Sequence, residues 1–396
     1  MEIDFSDPEF LRDPYPALGR LREHAPVSWH APTGRWLAAS HAAVDAVLRD
    51  RRLGRFWRDW EPADAYEPFN LLHRNQMMEN EPPAHTRLRS LVAKAFARGH
   101  VERLRPAVAA EAAALLTAAG PESDLLTDVA EPLAVTVIAE LLGVPLPDRP
   151  RLRPWSAAIV RMYEVTRTAE AEAAALAASR EFAAYLAGLA ARRRADPRDD
   201  LISHLVAVRD GTDRLSTDEL VASAILLLNA GHEASVNALG GGVVALLRHP
   251  AQLARLRADR GLIPAAVEEM IRYDPPLHMF VRTAAADVRV AGVTIPAGAE
   301  VAALLGAANR DPAVFVDPDT FDVARDPNPH VGFGAGLHFC LGAPLARLEL
   351  QAALGALLDH APALALAADP VPRPTFVLRA YTAVPLTIGV APTEPI

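Results

Sequence analysis

The chain has 396 residues, 51% of them hydrophobic and 22% charged, so it can bury a large core and is not a disordered tail. A net charge of −9 argues against nucleic acid, which needs a basic face. The single cysteine excludes an intramolecular disulfide, and no apolar run reaches the roughly 18 residues of a membrane span.

The acidic start, MEIDFSDPEF, lacks the basic and apolar regions of a signal peptide, so the cytoplasm is the expected location. Apolar residues at spacings of three and four predict helices over His85–Arg98, Pro106–Ala119, Leu133–Leu142, Ala169–Arg194, Thr217–Leu247 and Pro264–Tyr273. Ser216-Thr217-Asp218-Glu219 has the pattern of a helix cap. Strand signals come late. Ala286–Val290 and Val293–Pro296 read as a small hairpin, and Ala299–Leu304 and Thr382–Val390 as further strands. Between Asn309 and Gly342 the chain is rich in Pro, Asp and Gly and has little periodicity, which in a stretch of that length points to function. No repeat and no linker divides the sequence. The expectation is one mainly α domain, residues 1–396, with small β-sheets.

The segment Phe333-Gly334-Ala335-Gly336-Leu337-His338-Phe339-Cys340-Leu341-Gly342 holds three glycines around the lone cysteine, and a helical pattern follows it. Glycines permit tight turns and close approach of backbone to a flat ligand. A helix N-terminus stabilises a thiolate, which could ligate iron and push electron density towards it. Read from its residues alone, Cys340 is also compatible with a nucleophile paired with His338 or with a small buried hydrophobe.

This segment resembles the haem-binding loop of the cytochromes P450, Phe-Gly-x-Gly-x-(His/Arg)-x-Cys-x-Gly, at every fixed position. The resemblance runs from Asp13-Pro14-Tyr15-Pro16 to Ala380-Tyr381-Thr382. It implies the mainly helical P450 fold, haem b as cofactor and Cys340 as iron ligand. Phe333, Gly334 and Gly342 would shape the loop. His85 and Arg89 match the family's His-x-x-x-Arg, and with Arg282 and His338 they would bind the haem propionates. Glu269-Met270-Ile271-Arg272 resembles the family's Glu-x-x-Arg, with Arg325 as the third member of a structural triad. Ala230-Gly231-His232-Glu233-Ala234-Ser235 resembles the oxygen-binding segment. There Gly231 would let the helix deform and Glu233 would feed protons. The usual threonine is replaced by Ala234, which puts ordinary proton delivery in doubt. The resemblance implies that the substrate then lends a hydroxyl, with Ser235 or an ordered water as the alternative.

The implied reaction is oxidation, foremost hydroxylation, of a small molecule with O2. Ring closure, coupling or dehydrogenation on the same haem is the alternative, and a non-catalytic haem binder a further one. Electrons would come from a ferredoxin-type donor in trans, for which Arg98, Arg103 and Arg105 offer a docking face. By resemblance, substrate-lining segments fall near 55–80, 155–170, 222–235, 277–281 and 379–383. The first two carry Trp57, Trp60, Tyr66, Phe69, Met77, Met78, Trp155, Ile159, Met162 and Tyr163. Such side chains suit either a large apolar guest, such as a secondary metabolite, or core packing. Asn229, polar in an apolar helix, would bond the substrate or its own preceding turn.

Overall fold

The computed structural model describes residues 3–94, 98–163, 167–208 and 213–389, with the backbone alone at 98–100. The chain is mainly helical with small sheets, as expected. In chain order its helices include α1 (Ala84–Ala93), α2 (Arg98–Ala118), α3 (Glu131–Leu142), α4 (Ala169–Ala195), α5 (Thr217–Arg248), α6 (Ile263–Tyr273) and α7 (Ala343–His360). Strands that matter for the site are β1 (Val27–His30), β2 (Arg35–Ala38), β3 (Leu53–Gly54), β4 (Met279–Ala284), β5 (Val288–Val290), β6 (Val293–Ile295) and β7 (Glu300–Leu304). No helix among the described residues is long and apolar enough to cross a membrane.

The long helices start where their caps allow. At α4, the Thr168 hydroxyl accepts from Ala171 N at 3.2 Å, Glu170 and Glu172 sit in the first turn, and Arg192, Arg193 and Arg194 fill the last. Both ends thereby complement the helix dipole. At α5, Ser216 N donates to Glu219 Oε2 at 2.8 Å and Glu219 N donates to Ser216 Oγ at 3.1 Å, the reciprocal bonds of a capping box.

Three sequence expectations need correction. The helix anticipated from Pro106 begins at Arg98, with Pro106 inside it. Proline favours a first turn, but its fixed φ also fits a helix interior that tolerates one lost hydrogen bond. The helix over His85–Arg98 closes at Ala93, and residues 95–97 lie outside the described residues. The strand expected over Thr382–Val390 is two strands, Tyr381–Ala383 paired with Val371–Pro372 and Pro385–Thr387 paired with Glu122–Asp124. The switch occurs at Val384, whose N–H donates to Asp124 Oδ2 at 2.8 Å. Val390 lies outside the described residues.

The described residues form two compact units. The first comprises Met1–Gly54, Arg105–Leu133 and Ala234–Ile396, the second Arg55–Leu104 and Ala134–Glu233. In the first unit a five-stranded sheet runs in the order β1-β2-β7-β4-β3, with β2 and β7 parallel and the other pairs antiparallel. Strand alternation sends Val301 and Ala303 of β7 into one core cluster and Ala302 and Leu304 into another, so this strand is buried on both faces. In the second unit the buried His73 receives the Tyr163 hydroxyl at Nε2, 2.7 Å away, and donates from Nδ1 to Phe69 O at 2.7 Å. Burial lowers its pKa to about 4, so the ring is neutral at physiological pH.

Candidate functional site

The site is easiest to build from the loop before α7. Gly334 N donates to Val331 O at 2.8 Å, Phe339 N to Gly336 O at 3.2 Å, and Cys340 N to Phe333 O at 2.9 Å. These bonds fold residues 331–340 back on themselves and hold the cysteine at the loop's end. Two positions require glycine. Gly334 and Gly336 adopt φ of +72° and +67°, and a Cβ on Gly336 would lie 2.5 Å from Leu48 O. Gly342 caps α7, so Cys340 stands just ahead of that helix N-terminus. Cys340 and His338 are partly exposed, and Phe339 is 40% exposed although aromatic.

A buried ion network holds the loop's approach. Glu269 and Arg272, both fully buried on α6, pair through Nε–Oε2 at 2.7 Å and Nη2–Oε1 at 2.8 Å. Arg325 adds Nε to both Glu269 oxygens at 3.1 and 3.2 Å. Arg272 also donates to the carbonyls of Asn309, Pro318 and Thr320. The triad anticipated from sequence is thus closed, and it staples the irregular 309–328 stretch onto α6.

Arg282 is buried on β4 opposite Val301, and its Nη1 donates to Val281 O at 3.0 Å. Ala234 and Ser235 sit mid-way along α5 in this same unit. The Ser235 hydroxyl hydrogen-bonds Glu349 of α7, a fully enclosed acid whose pKa burial pushes up to about 8, against the lowering effect of that bond. Sequence reasoning missed Glu349. The available signal was an acid embedded in Leu348-Glu349-Leu350, inside an apolar helix.

The second unit holds the other candidates. His85 is buried and Arg89 half-buried, one turn apart on α1. Glu233 is half-buried and its Oε1 lies 3.7 Å from His232 Nδ1. A Cβ on Gly231 would make only ordinary contact, 3.5 Å from Ile138 Cδ1, so nothing packed on it within this unit demands glycine. Asn229 is buried, and its Oδ1 meets no hydrogen-bond donor among the described residues. Of the aromatic and aliphatic candidates, Phe69, Ile159 and Met162 are enclosed by neighbouring side chains, and Trp155 stacks on Phe182 at 5.1 Å. These four pack the core. Residues 164–166 of the second substrate-lining segment lie outside the described residues, as does the Arg98 side chain.

The donor set tests whether a haem fits. Among the described residues no cluster of three or more His, Cys, Asp and Glu could hold a metal ion. Cys340 can offer one bond, which is what an iron already held by a macrocycle requires. A Cβ on Gly342 would meet only Cys340 Sγ, at 3.9 Å, so the backbone beside the sulfur leaves room for a flat group. The residues fit.

A sequence model of the family described as Cytochrome P450 matches residues 172–363. The chain is 42% identical over 390 residues to the cytochrome P450 monooxygenase PikC of Streptomyces venezuelae, covering 96% of this chain and 92% of that one. The chain belongs to the cytochrome P450 monooxygenase family. This P450 is an oxidoreductase. It is also 40% identical to the 6-deoxyerythronolide B hydroxylase of Saccharopolyspora erythraea, covering 97% of this chain and 98% of that one. Its fold matches the crystal structure of P450BioI in complex with a hexadec-9Z-enoic acid-ligated acyl carrier protein. The TM-score is 0.91 and the identity 37%, over 96% of this chain and 98% of that chain.

Proposed function

We propose that this P450 binds haem b through Cys340 and hydroxylates a fairly large, mostly apolar secondary metabolite. The observation that carries the reading is the loop geometry, two left-handed glycines and a Phe333–Cys340 backbone bond that present one partly exposed thiol. When bound, haem supplies a thiolate-ligated iron at which O2 is activated for oxidation of a C–H bond. His85, Arg89, Arg282 and His338 would hold its two propionates by charge-assisted hydrogen bonds. Phe333, Gly334 and Gly342 shape the loop around the sulfur. A ferredoxin-type protein delivers the electrons. Arg103 is a solvated cation paired with Asp199 at 3.3 Å and is available for such docking. The names of the relatives, a 6-deoxyerythronolide B hydroxylase and a polyketide biosynthesis cytochrome P450 among them, support a polyketide-like substrate. The test is a screen for substrate-induced spin-state shifts over a natural-product library, followed by turnover with surrogate ferredoxin and reductase. A product heavier by one oxygen supports hydroxylation. A product lighter by two hydrogens assigns the alternative, dehydrogenation or ring closure.

Proton delivery is the unusual part. Gly231 lets α5 deform and Glu233 feeds protons, but the Ala234 methyl can neither donate nor accept a hydrogen bond. The Ser235 hydroxyl next to it is bonded to Glu349, which is largely protonated near neutral pH. That pair can hold a proton on Glu349 and pass it through Ser235 Oγ, so we assign the role to Ser235 ahead of a substrate hydroxyl. Ser235→Ala is expected to lower product formed per reducing equivalent by roughly tenfold or more, with recovery in Ser235→Thr. Unchanged coupling in Ser235→Ala, with a sharp fall for a substrate analogue lacking its nearest hydroxyl, would move the role to the substrate.

Glu349 also makes a stability prediction. Its folded pKa is raised, so the folded state binds the proton more tightly than the unfolded chain. The stability linked to that proton is fully present below the ordinary glutamate range and is lost as pH rises towards about 8. Its upper bound is about 5 kcal/mol. Wild type should lose unfolding free energy from pH 5 to pH 8, and Glu349→Gln should flatten that slope. Parallel slopes for the two proteins would show that Glu349 is not the titrating group.

A further inference from the structure

Behind the thiolate loop lies an ion pair that the triad does not include. Arg347, in the second turn of α7 and seven residues past Cys340, is clamped by Glu268 of α6 through Nε–Oε1 at 2.6 Å and Nη2–Oε2 at 2.8 Å. The His330 ring faces the same carboxylate, Nε2 to Oε2 at 3.1 Å, while its Nδ1 accepts from Gly332 N at 3.1 Å. The bidentate grip fixes the guanidinium in one plane, with its carbon 4.5 Å from the centre of the Phe333 ring. Phe333 is also the residue whose carbonyl accepts the Cys340 N–H at 2.9 Å. One fixed cation thus rests on the residue that bonds the cysteine backbone.

The electrostatics agree with this geometry. The Arg347 pKa is raised, first by its hydrogen bond to Glu268 and further by the charges of Glu268 and of Cys340, against the cost of burial. Burial acts to raise the Glu268 pKa, but the Arg347 and His330 bonds outweigh it and hold the acid at about 2, so it is ionised at any working pH. Both groups are partly buried, at 34% and 25% side-chain exposure, so solvent screens their fields incompletely.

We propose that the Glu268–Arg347 pair sets the electron-donating strength of the Cys340 thiolate and, through it, the reduction potential of the haem iron. Arg347 raises the potential and Glu268 restrains it. The inference rests on the reading of Cys340 as the iron ligand. Positive charge near the sulfur draws electron density from it, and the ferrous state, which carries one electron more, is favoured. Negative charge does the reverse. Arg347 and Glu268 are positioning residues here, acting through the sulfur and not on substrate.

The two partners carry opposite charge, so their removal should move the potential in opposite directions. A purely structural pair would give losses of the same sign. The test is an optical redox titration of the haem-loaded protein, in which ferric iron takes one electron from a chemical reductant through mediators. Only haem-containing molecules are read, so partial haem loss does not blur the result. In Arg347→Gln the ferrous-to-ferric ratio at a fixed potential should fall about threefold, roughly 28 mV at 59 mV per tenfold for a one-electron couple. In Glu268→Gln it should rise by a similar factor, and Arg347→Lys, which keeps the charge, should stay closer to wild type than Arg347→Gln. Shifts of the same sign in the two neutral variants, or no shift in either, would overturn the proposal. So would unchanged potentials with slower reduction by ferredoxin, which would make Arg347 a docking cation. If the wild-type reduced carbonyl complex lacks the thiolate signature, it is the assignment of Cys340 that fails.

Discussion

Cys340→Ser is expected to fold and to abolish substrate oxidation. The side chain is partly exposed at the end of a loop held by backbone bonds, and the change from sulfur to oxygen alters little volume. The fold should therefore keep its stability to within about 1 kcal/mol before haem is added. A serine hydroxyl is not ionised at working pH and cannot push electron density as a thiolate does. No other cysteine exists to take its place. The check is thermal melting of the haem-free protein together with turnover by surrogate ferredoxin and reductase. Oxidation of substrate by the serine variant at the wild-type rate would remove Cys340 from the chemistry.

Glu269→Ala is expected to cost roughly 3–5 kcal/mol, because it leaves a buried guanidinium without its counter-ion. Glu269 is fully buried and accepts from Arg272, from Arg325, from Asp322 N at 2.9 Å and from Asn328 Nδ2 at 3.2 Å. Four attachments to the 322–328 stretch and to α6 are lost at once, and Arg272 stays enclosed. Glu269→Gln, which keeps the shape and loses the charge, should fall between wild type and Glu269→Ala. Urea unfolding and the fraction of protein that retains haem provide the check. A Glu269→Ala protein with wild-type midpoint and full haem content would show that the network does not support the loop.

Much of this was legible in the sequence where local chemistry alone decides the outcome. The helices α4 and α5 announce themselves through their caps and long apolar periods. Glu269 and Arg272 share a helix face by their spacing, and the glycines around Cys340 mark turns that only glycine makes. What was not legible depends on distant partners. The strands β1 and β2, four residues each, carry too short an alternation to read, and β4 gains its identity only from pairing with β3 and β7. Pro106 looked like a helix start because sequence cannot say whether a proline's missing N–H falls in the first turn or the interior. Phe69, Ile159 and Met162 could have lined a guest or filled a core, and only the neighbours that enclose them decide for the core. Glu268 was invisible for the same reason, and Glu349 showed only as an acid within an apolar helix. An acid on a helix is ordinary until Ser235 or Arg347 is placed against it.

The central claim is that one cysteine thiolate holds a haem iron, and the spectrum of the reduced carbonyl complex tests it most directly. The wild-type protein, reconstituted with haem, reduced and exposed to carbon monoxide, should show the red-shifted Soret band of thiolate ligation, and Cys340→Ser should lose it. A wild-type complex without that band, or a serine variant that keeps it, would contradict the account.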